Sequence, residues 1–108
     1  MPTTFVEVAT YKVFAYAGPN GNAGVEASIS LGIADGFAFL NFFPEGMPLP
    51  PNRKSVPGPF FYVSYRAAQL GPILDLLRNE KPVRFFFRDE TLVAYITTAD
   101  EPVGEEET

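Results

Sequence analysis

The chain has 108 residues, of which 46% are hydrophobic and 15% aromatic. This apolar content excludes an intrinsically disordered chain, and the length suits one domain with a single core. No apolar run approaches the roughly 18 residues of a membrane-spanning helix. The absence of histidine and cysteine excludes imidazole and thiol catalysis and removes the usual zinc ligands.

The formal net charge of −5 is concentrated near the C-terminal end. Five of the 13 acidic residues lie in residues 100–108, which leaves eight acids against eight Lys and Arg in residues 1–99. We therefore predict a single compact domain over residues 1–99, followed by an acidic flexible tail, residues 100–108, too polar to fold alone. The lack of cysteine and of a leader pattern favours a cytoplasmic location.

Three strands are predicted in the first part of the chain. Residues 5–17 are rich in β-branched and aromatic side chains, residues 25–34 alternate apolar with polar or small residues, and residues 37–43 are apolar again. The turn sequence GPNGNAG, which contains Asn20-Gly21, and the pair Asp35-Gly36 separate them. This succession predicts an antiparallel meander.

A proline-rich segment follows at residues 44–59 and contains six prolines. Because proline lacks a backbone donor and has a fixed φ, the segment excludes a central strand or a helix. It is interpreted as a surface crossover, with a functional or flexible loop as the alternative. Arg53 and Lys54 place two cations beside Ser55 here, as a candidate phosphate-binding pair or as a plain solvated loop.

A fourth strand is predicted at residues 60–65, and the helix signal comes after it, within residues 66–81. Four aliphatic residues spaced three and four apart form one stripe that we expect to pack on the sheet: Leu70, Ile73, Leu74 and Leu77. If Leu74 is in the core, its replacement by alanine should cost about 2–5 kcal/mol. Pro82 ends the helix.

The last two strands form a hairpin, VRFFFR and TLVAYITT, around Asp89-Glu90. The whole chain thus predicts an α+β fold: an antiparallel sheet of about six strands in the order β-β-β-β-α-β-β, with one helix packed on it. A two-residue turn would pair Phe86 with Val93 and Phe87 with Leu92.

The closing hairpin also supplies the candidate site. Because adjacent residues of a strand point to opposite faces, the three consecutive phenylalanines cannot share one side. Arg84, Phe86, Arg88 and Tyr95 fall together on the face opposite the apolar one. The face is either a capped surface or subunit contact, or a platform where rings stack on bases and arginines hold phosphates.

The predicted function is a small non-enzymatic binding module, for single-stranded nucleic acid, with ligand contacts from the face around Phe86 and from Arg53 and Lys54. The alternative is a homo-oligomeric interaction or adaptor protein, in which the same face or the Phe60/Tyr62 face contacts another subunit. No catalytic residue, metal site or cofactor is predicted. The high apolar and aromatic content favours a homodimer, and the acidic tail is expected to compete with a polyanion for the arginines.

Overall fold

The computed structural model describes residues 3–18, 21–34, 36–55 and 59–98. Within them the chain forms eight strands in two sheets, with a short 3₁₀ turn before one α-helix. In chain order these elements are β1 (Thr3–Glu7), β2 (Thr10–Ala15), β3 (Ala27–Ile33), β4 (Gly36–Phe43), β5 (Arg53–Ser55), β6 (Phe60–Arg66), the 3₁₀ turn (Ala67–Gln69), α1 (Leu70–Asn79), β7 (Val83–Arg88) and β8 (Ala94–Thr98). The predicted α+β class is confirmed, while eight strands in two sheets take the place of about six strands in one.

Some predicted features lie outside the residues that the structure describes. The acidic tail, residues 100–108, lies outside the described residues. Asn20 and Asp35, which were assigned to turns, lie outside them as well.

The segment predicted as one strand over residues 5–17 is two strands that belong to different sheets. The N–H of Val8 donates to the carbonyl of Val83 at 2.8 Å, and the N–H of Ala9 donates to the carbonyl of Gly32 at 2.8 Å. Because these neighbouring amides bond to different sheets, the chain crosses from one sheet to the other at this point. No glycine or proline marks the crossing, so the sequence pattern did not show it.

The five-stranded sheet has the order β2-β3-β4-β6-β5. Its pairs are antiparallel except β4 and β6, which run parallel. The parallel pair corrects the fully antiparallel prediction: β4 and β6 run in the same direction, and β5 lies on the far side of β6. The connection from β4 must therefore cross over before the chain returns as β6.

The crossover is the proline-rich segment, and it is more ordered than predicted. It contains the three-residue strand β5 at the sheet edge, where proline-flanked strands are tolerated. The guanidinium of Arg66 donates to the carbonyls of Pro44 and Met47, which fixes the start of the segment on β6. The side chain of Asn52 accepts from the N–H of Ser64 at 2.9 Å and fixes the segment farther along.

The three-stranded sheet has the order β1-β7-β8, all antiparallel. Five residues, 89–93, separate β7 from β8. The N–H of Arg88 donates to the carbonyl of Val93 at 3.0 Å, so the turn itself spans four residues, 89–92, instead of the predicted two. Leu92 closes the loop by donating its N–H to the carbonyl of Arg88 at 2.8 Å, and it has a φ of +63°.

The longer loop moves the β7–β8 register by two residues. Phe86 pairs with Tyr95 where the sequence predicted Val93, and Phe87 pairs with Ala94 where it predicted Leu92. Because the shift is even, each side chain keeps the face that the sequence assigned to it.

One hydrophobic core lies between the two sheets and the helix. Phe61 of β6 meets both buried phenylalanines of β7, with ring centroids 5.1 Å from Phe85 and 5.0 Å from Phe87. From the helix, Ile73 and Leu77 are buried in the same cluster. The other residues of the predicted helix stripe, Leu70 and Leu74, are partly buried at its rim. In the described part of the chain, no helix has the length and apolarity needed to cross a membrane.

Candidate nucleic-acid interface

The outer face of the three-stranded sheet carries one aromatic ring from each strand. In the register of the sheet, Phe5 pairs with Phe86 and Phe86 pairs with Tyr95. The neighbours of Phe86 along β7, Phe85 and Phe87, are completely buried on the opposite face. Alternation along the strand therefore places the three paired rings outside the core. We call Phe5, Phe86 and Tyr95 the aromatic row.

The rings of the aromatic row leave specific surfaces open. Phe86 and Tyr95 stack on each other, with centroids 4.5 Å apart and planes 10° apart. Phe5 meets Phe86 edge-on, at 6.3 Å and 67°. The relative exposure is 53% for Phe5 and 43% for Tyr95. Because the stacked pair covers one face of each ring, the surfaces left open to solvent are the far face of Tyr95 and the ring of Phe5.

The two arginines predicted for the site flank this row. The guanidinium carbon of Arg84 lies 5.8 Å from the Phe5 ring centroid, and that of Arg88 lies 5.8 Å from the Phe86 centroid. Neither arginine forms an ion pair with the described residues. Glu7 is the cross-strand neighbour of Arg84, so the face carries two positive charges and one negative charge. Both guanidinium groups remain available to an anion.

A shallow groove runs beside the aromatic row toward the hairpin loop. It has a volume of about 330 Å³ and is lined by Phe86, Arg88, Thr91, Val93 and Tyr95. Its walls combine two aromatic rings and a valine with an exposed cation and a hydroxyl. This combination suits a base and its adjoining phosphate better than it suits a purely apolar ligand.

Lys54 lies apart from the aromatic row and already has a partner. Its ammonium forms an ion pair with Asp89 at 3.1 Å and sits 5.7 Å from the centroid of the Phe61 ring. Asp89 belongs to the hairpin of the three-stranded sheet, whereas Lys54 belongs to β5. The pair therefore ties the two sheets together, and Lys54 is a poor candidate for holding a phosphate.

Arg53 points to the other side of the same strand and belongs to a second aromatic surface. Its guanidinium carbon lies 4.0 Å from the centroid of the Tyr62 ring. Four rings stack along this outer face of the five-stranded sheet, in the order Phe60, Phe37, Phe39 and Tyr62. The structure therefore brings together four of the six predicted site residues and places Arg53 and Lys54 elsewhere.

Phe5 is the site residue that the sequence analysis missed. Along β1 the exposed Phe5 alternates with the half-buried Thr4 and Val6, as the period of a strand requires. The sequence alone does not assign Phe5 to the site, because it does not show which strand pairs with β1. Pairing of β1 with β7 is a contact between the two ends of the chain, and only the fold establishes it.

The described residues show no cluster of three or more acidic side chains that could hold a metal ion.

Burial raises the pKa of the Tyr65 phenol above its ordinary value. Tyr65 stacks on Phe42, at 5.5 Å between ring centroids, and packs against the core rather than against the aromatic row. Its raised pKa is thus a consequence of packing.

Comparisons of the chain with protein-family models, with curated proteins and with solved structures found no match.

Proposed function

We propose that the chain is a non-enzymatic binding module for single-stranded nucleic acid, and that the strand lies on the outer face of the three-stranded sheet. The observation that carries the proposal is the aromatic row, with Arg84 over the ring of Phe5 and Arg88 over the ring of Phe86. Single strands present unstacked bases and a regular row of phosphates, and this face offers a counterpart to both. The cytoplasmic location and the homodimer predicted from the sequence belong to the same proposal.

Stacking on the rings supplies the part of the affinity that does not depend on salt. Bases stack on the exposed ring of Phe5 and on the far face of Tyr95, while Phe86 supports Tyr95 from behind. Each stacked base contributes about 1–3 kcal/mol. Because every base has an aromatic face, this mode predicts weak dependence on nucleotide sequence.

Phosphate contacts supply the salt-dependent part. Arg84 and Arg88 present planar guanidinium groups, which bind phosphate oxygens through paired hydrogen bonds. For single strands the logarithm of affinity falls with the logarithm of salt concentration with a slope of about −0.7 per neutralised phosphate. Two arginines therefore predict a slope of about −1.4. Since residues 1–99 are formally neutral, binding should be modest and strongest at low salt.

The charge contribution is tested by titrating a labelled oligothymidylate of about 15 nucleotides by fluorescence anisotropy. Measurements run between about 50 and 200 mM salt. The double variant Arg84→Ala/Arg88→Ala should bind more weakly and lose most of the salt slope. The matched control is Arg78→Ala, which removes an exposed arginine from the helix and should leave the slope unchanged.

The ring contribution is tested with the same titration at one low salt concentration. Tyr95→Ala should weaken binding about 5- to 150-fold, which corresponds to the loss of one stacked base. Tyr95→Phe keeps the ring and should bind nearly as the wild type does. Phe37→Ala removes a ring of comparable exposure from the other sheet and serves as the control.

Absence of binding by the wild type at low salt would remove the proposal. Equal weakening by Arg78→Ala and by the double variant would show that net charge acts in place of the site. Equal weakening by Phe37→Ala and Tyr95→Ala would contradict specific binding at the aromatic row.

The second candidate function is a protein-interaction module or adaptor. It is favoured by the stacked rings on the outer face of the five-stranded sheet, where Phe37 is 46% and Phe60 is 36% exposed. Exposed aromatic surfaces of this kind often contact a protein partner. If no oligonucleotide binds at low salt, the protein-interaction function becomes the better supported of the two candidate functions.

A further inference from the structure

The strand β2 is exposed along its whole length. All six of its residues are exposed, and three of them are large and apolar or aromatic: Tyr11 at 38%, Val13 at 42% and Phe14 at 37%. β2 lies at one edge of the five-stranded sheet, and no described strand pairs with its free side. The opposite edge strand, β5, has three residues and so offers a much shorter edge.

The backbone of β2 presents unpaired hydrogen-bonding groups at this free edge. The N–H of Tyr16 donates to the carbonyl of Glu26 at 3.0 Å, in the same register that pairs the rest of β2 with β3. In an antiparallel ladder, residues alternate between bonding the partner strand and pointing away from it. Even-numbered residues of β2 therefore bond β3, and the N–H and C=O groups of Tyr11, Val13 and Ala15 point outward.

An open edge of this length usually has a device that prevents strand addition, such as proline, a bulge or several charges. β2 has neither proline nor more than one charge, Lys12. Within the described chain the edge is thus left ready for a further strand. An added strand would satisfy the outward backbone groups and cover Val13.

We infer that the partner is a second copy of this chain, which pairs antiparallel through its own β2 with Val13 on the two-fold axis. In this register Lys12 lies opposite Phe14 of the second copy, and Tyr11 lies opposite Ala15 of the second copy. Lys12 already sits 5.3 Å from the ring centroid of Phe14 in its own chain, so the same cation–π contact extends across the axis. A register shifted to place Lys12 opposite itself is disfavoured by like charge.

The paired strands join two five-stranded sheets into one continuous sheet of ten strands. A contact through one six-residue strand is smaller than the roughly 800 Å² per partner of a standard interface. The dimer should therefore dissociate on dilution. The aromatic row lies on the other sheet, so it remains free for a ligand in the dimer.

The test measures mass by light scattering and sedimentation equilibrium at high micromolar protein. The wild type should have the mass of a dimer, while Val13→Lys and Val13→Asp should each have the mass of a monomer, because equal charges face each other across the axis. Mixing the two variants should restore the dimer mass, since opposite charges then meet. Leu49→Lys, which adds a charge at an exposed site in the proline-rich segment, should remain dimeric.

A monomeric wild type at this concentration would overturn the inference, as would dimers of both Val13 variants. Failure of the mixture to associate would overturn the register with Val13 on the axis. The oligonucleotide titration of Val13→Lys separates this inference from the proposed function. Binding that is retained by a monomer supports both, and the loss of dimer formation does not affect the nucleic-acid proposal.

Discussion

At the scale of single residues, neighbours along one strand have opposite environments. Phe60 and Phe61 are consecutive in β6, yet Phe60 is 36% exposed and Phe61 is completely buried. Phe61 also touches two other buried rings across the space between the sheets. This contrast makes the pair a matched test of the core.

Phe61→Ala should lower the free energy of unfolding by about 3–5 kcal/mol, because it removes a buried ring and leaves a cavity between the sheets. Phe60→Ala should have a much smaller effect, since its ring already contacts solvent. Chemical denaturation followed by circular dichroism gives both values. Similar losses in the two variants would contradict the placement of the core.

Tyr65 gives a pH-dependent prediction at the same scale. Burial raises the pKa of its phenol above the ordinary value of 10.0. The folded chain then holds the proton more tightly than the unfolded chain, so this contribution to stability is complete below about pH 10 and is lost as pH rises toward the folded pKa. Tyr65→Phe removes the titrating group and the dependence with it.

The measurement compares the free energy of unfolding of wild type and Tyr65→Phe at about pH 9 and about pH 11. The wild type should lose stability relative to the variant over this interval. A constant difference would mean that Tyr65 is less buried in solution than in the structure.

At the scale of elements, the helix contributes to the core through one side. Ile73 and Leu77 are buried, whereas Leu74 lies at the rim and is only partly buried. The predicted helix is confirmed, and the cost of about 2–5 kcal/mol expected for a core leucine applies to Ile73 better than to Leu74.

Ile73→Ala should lower the free energy of unfolding by about 2–5 kcal/mol, and Leu74→Ala should lower it by less. The two substitutions are neighbours in one helix, and both introduce alanine, the residue with the highest helix propensity, so their difference mainly reports burial. Thermal and denaturant unfolding of both variants provides the comparison. A larger loss from Leu74→Ala would place the helix on the sheets in a different rotation.

At the scale of the whole molecule, charge is distributed unevenly between the two ends of the sequence. The two arginines of the site, which form no ion pair within the described residues, lie in a body that is formally neutral, and residues 100–108 carry five acids. If these acids compete with an anionic strand for Arg84 and Arg88, removing them should strengthen binding.

Deletion of residues 100–108 should tighten oligonucleotide binding, most clearly at low salt, where screening is weakest. A chain in which the five acids are replaced by their amides keeps the length of the segment and should bind like the deletion. The titration described above measures all three proteins. Equal affinities for the three would contradict competition by the acids.

The sequence by itself determined which residues share a face. Alternation along a strand has a period of two, so Arg84, Phe86 and Arg88 had to lie together and opposite Phe85 and Phe87. For these β7 residues the assignment does not depend on the turn. The side of Tyr95 does depend on it, and Tyr95 stays on the predicted side because the longer hairpin loop moves the register by an even number of residues, two. The helix was also predictable, since its apolar stripe and the proline after it are local signals.

The tertiary structure decided what those faces meet. Phe5 joins the aromatic row through a pairing between distant parts of the chain, and Val8 and Ala9 divide one apolar run between two sheets by long-range hydrogen bonds. Lys54 of β5 forms an ion pair with Asp89 in the hairpin of the other sheet, and no spacing along the chain predicts this contact. Strand order and ion pairing depend on contacts between residues far apart in sequence, and local pattern carries no information about them.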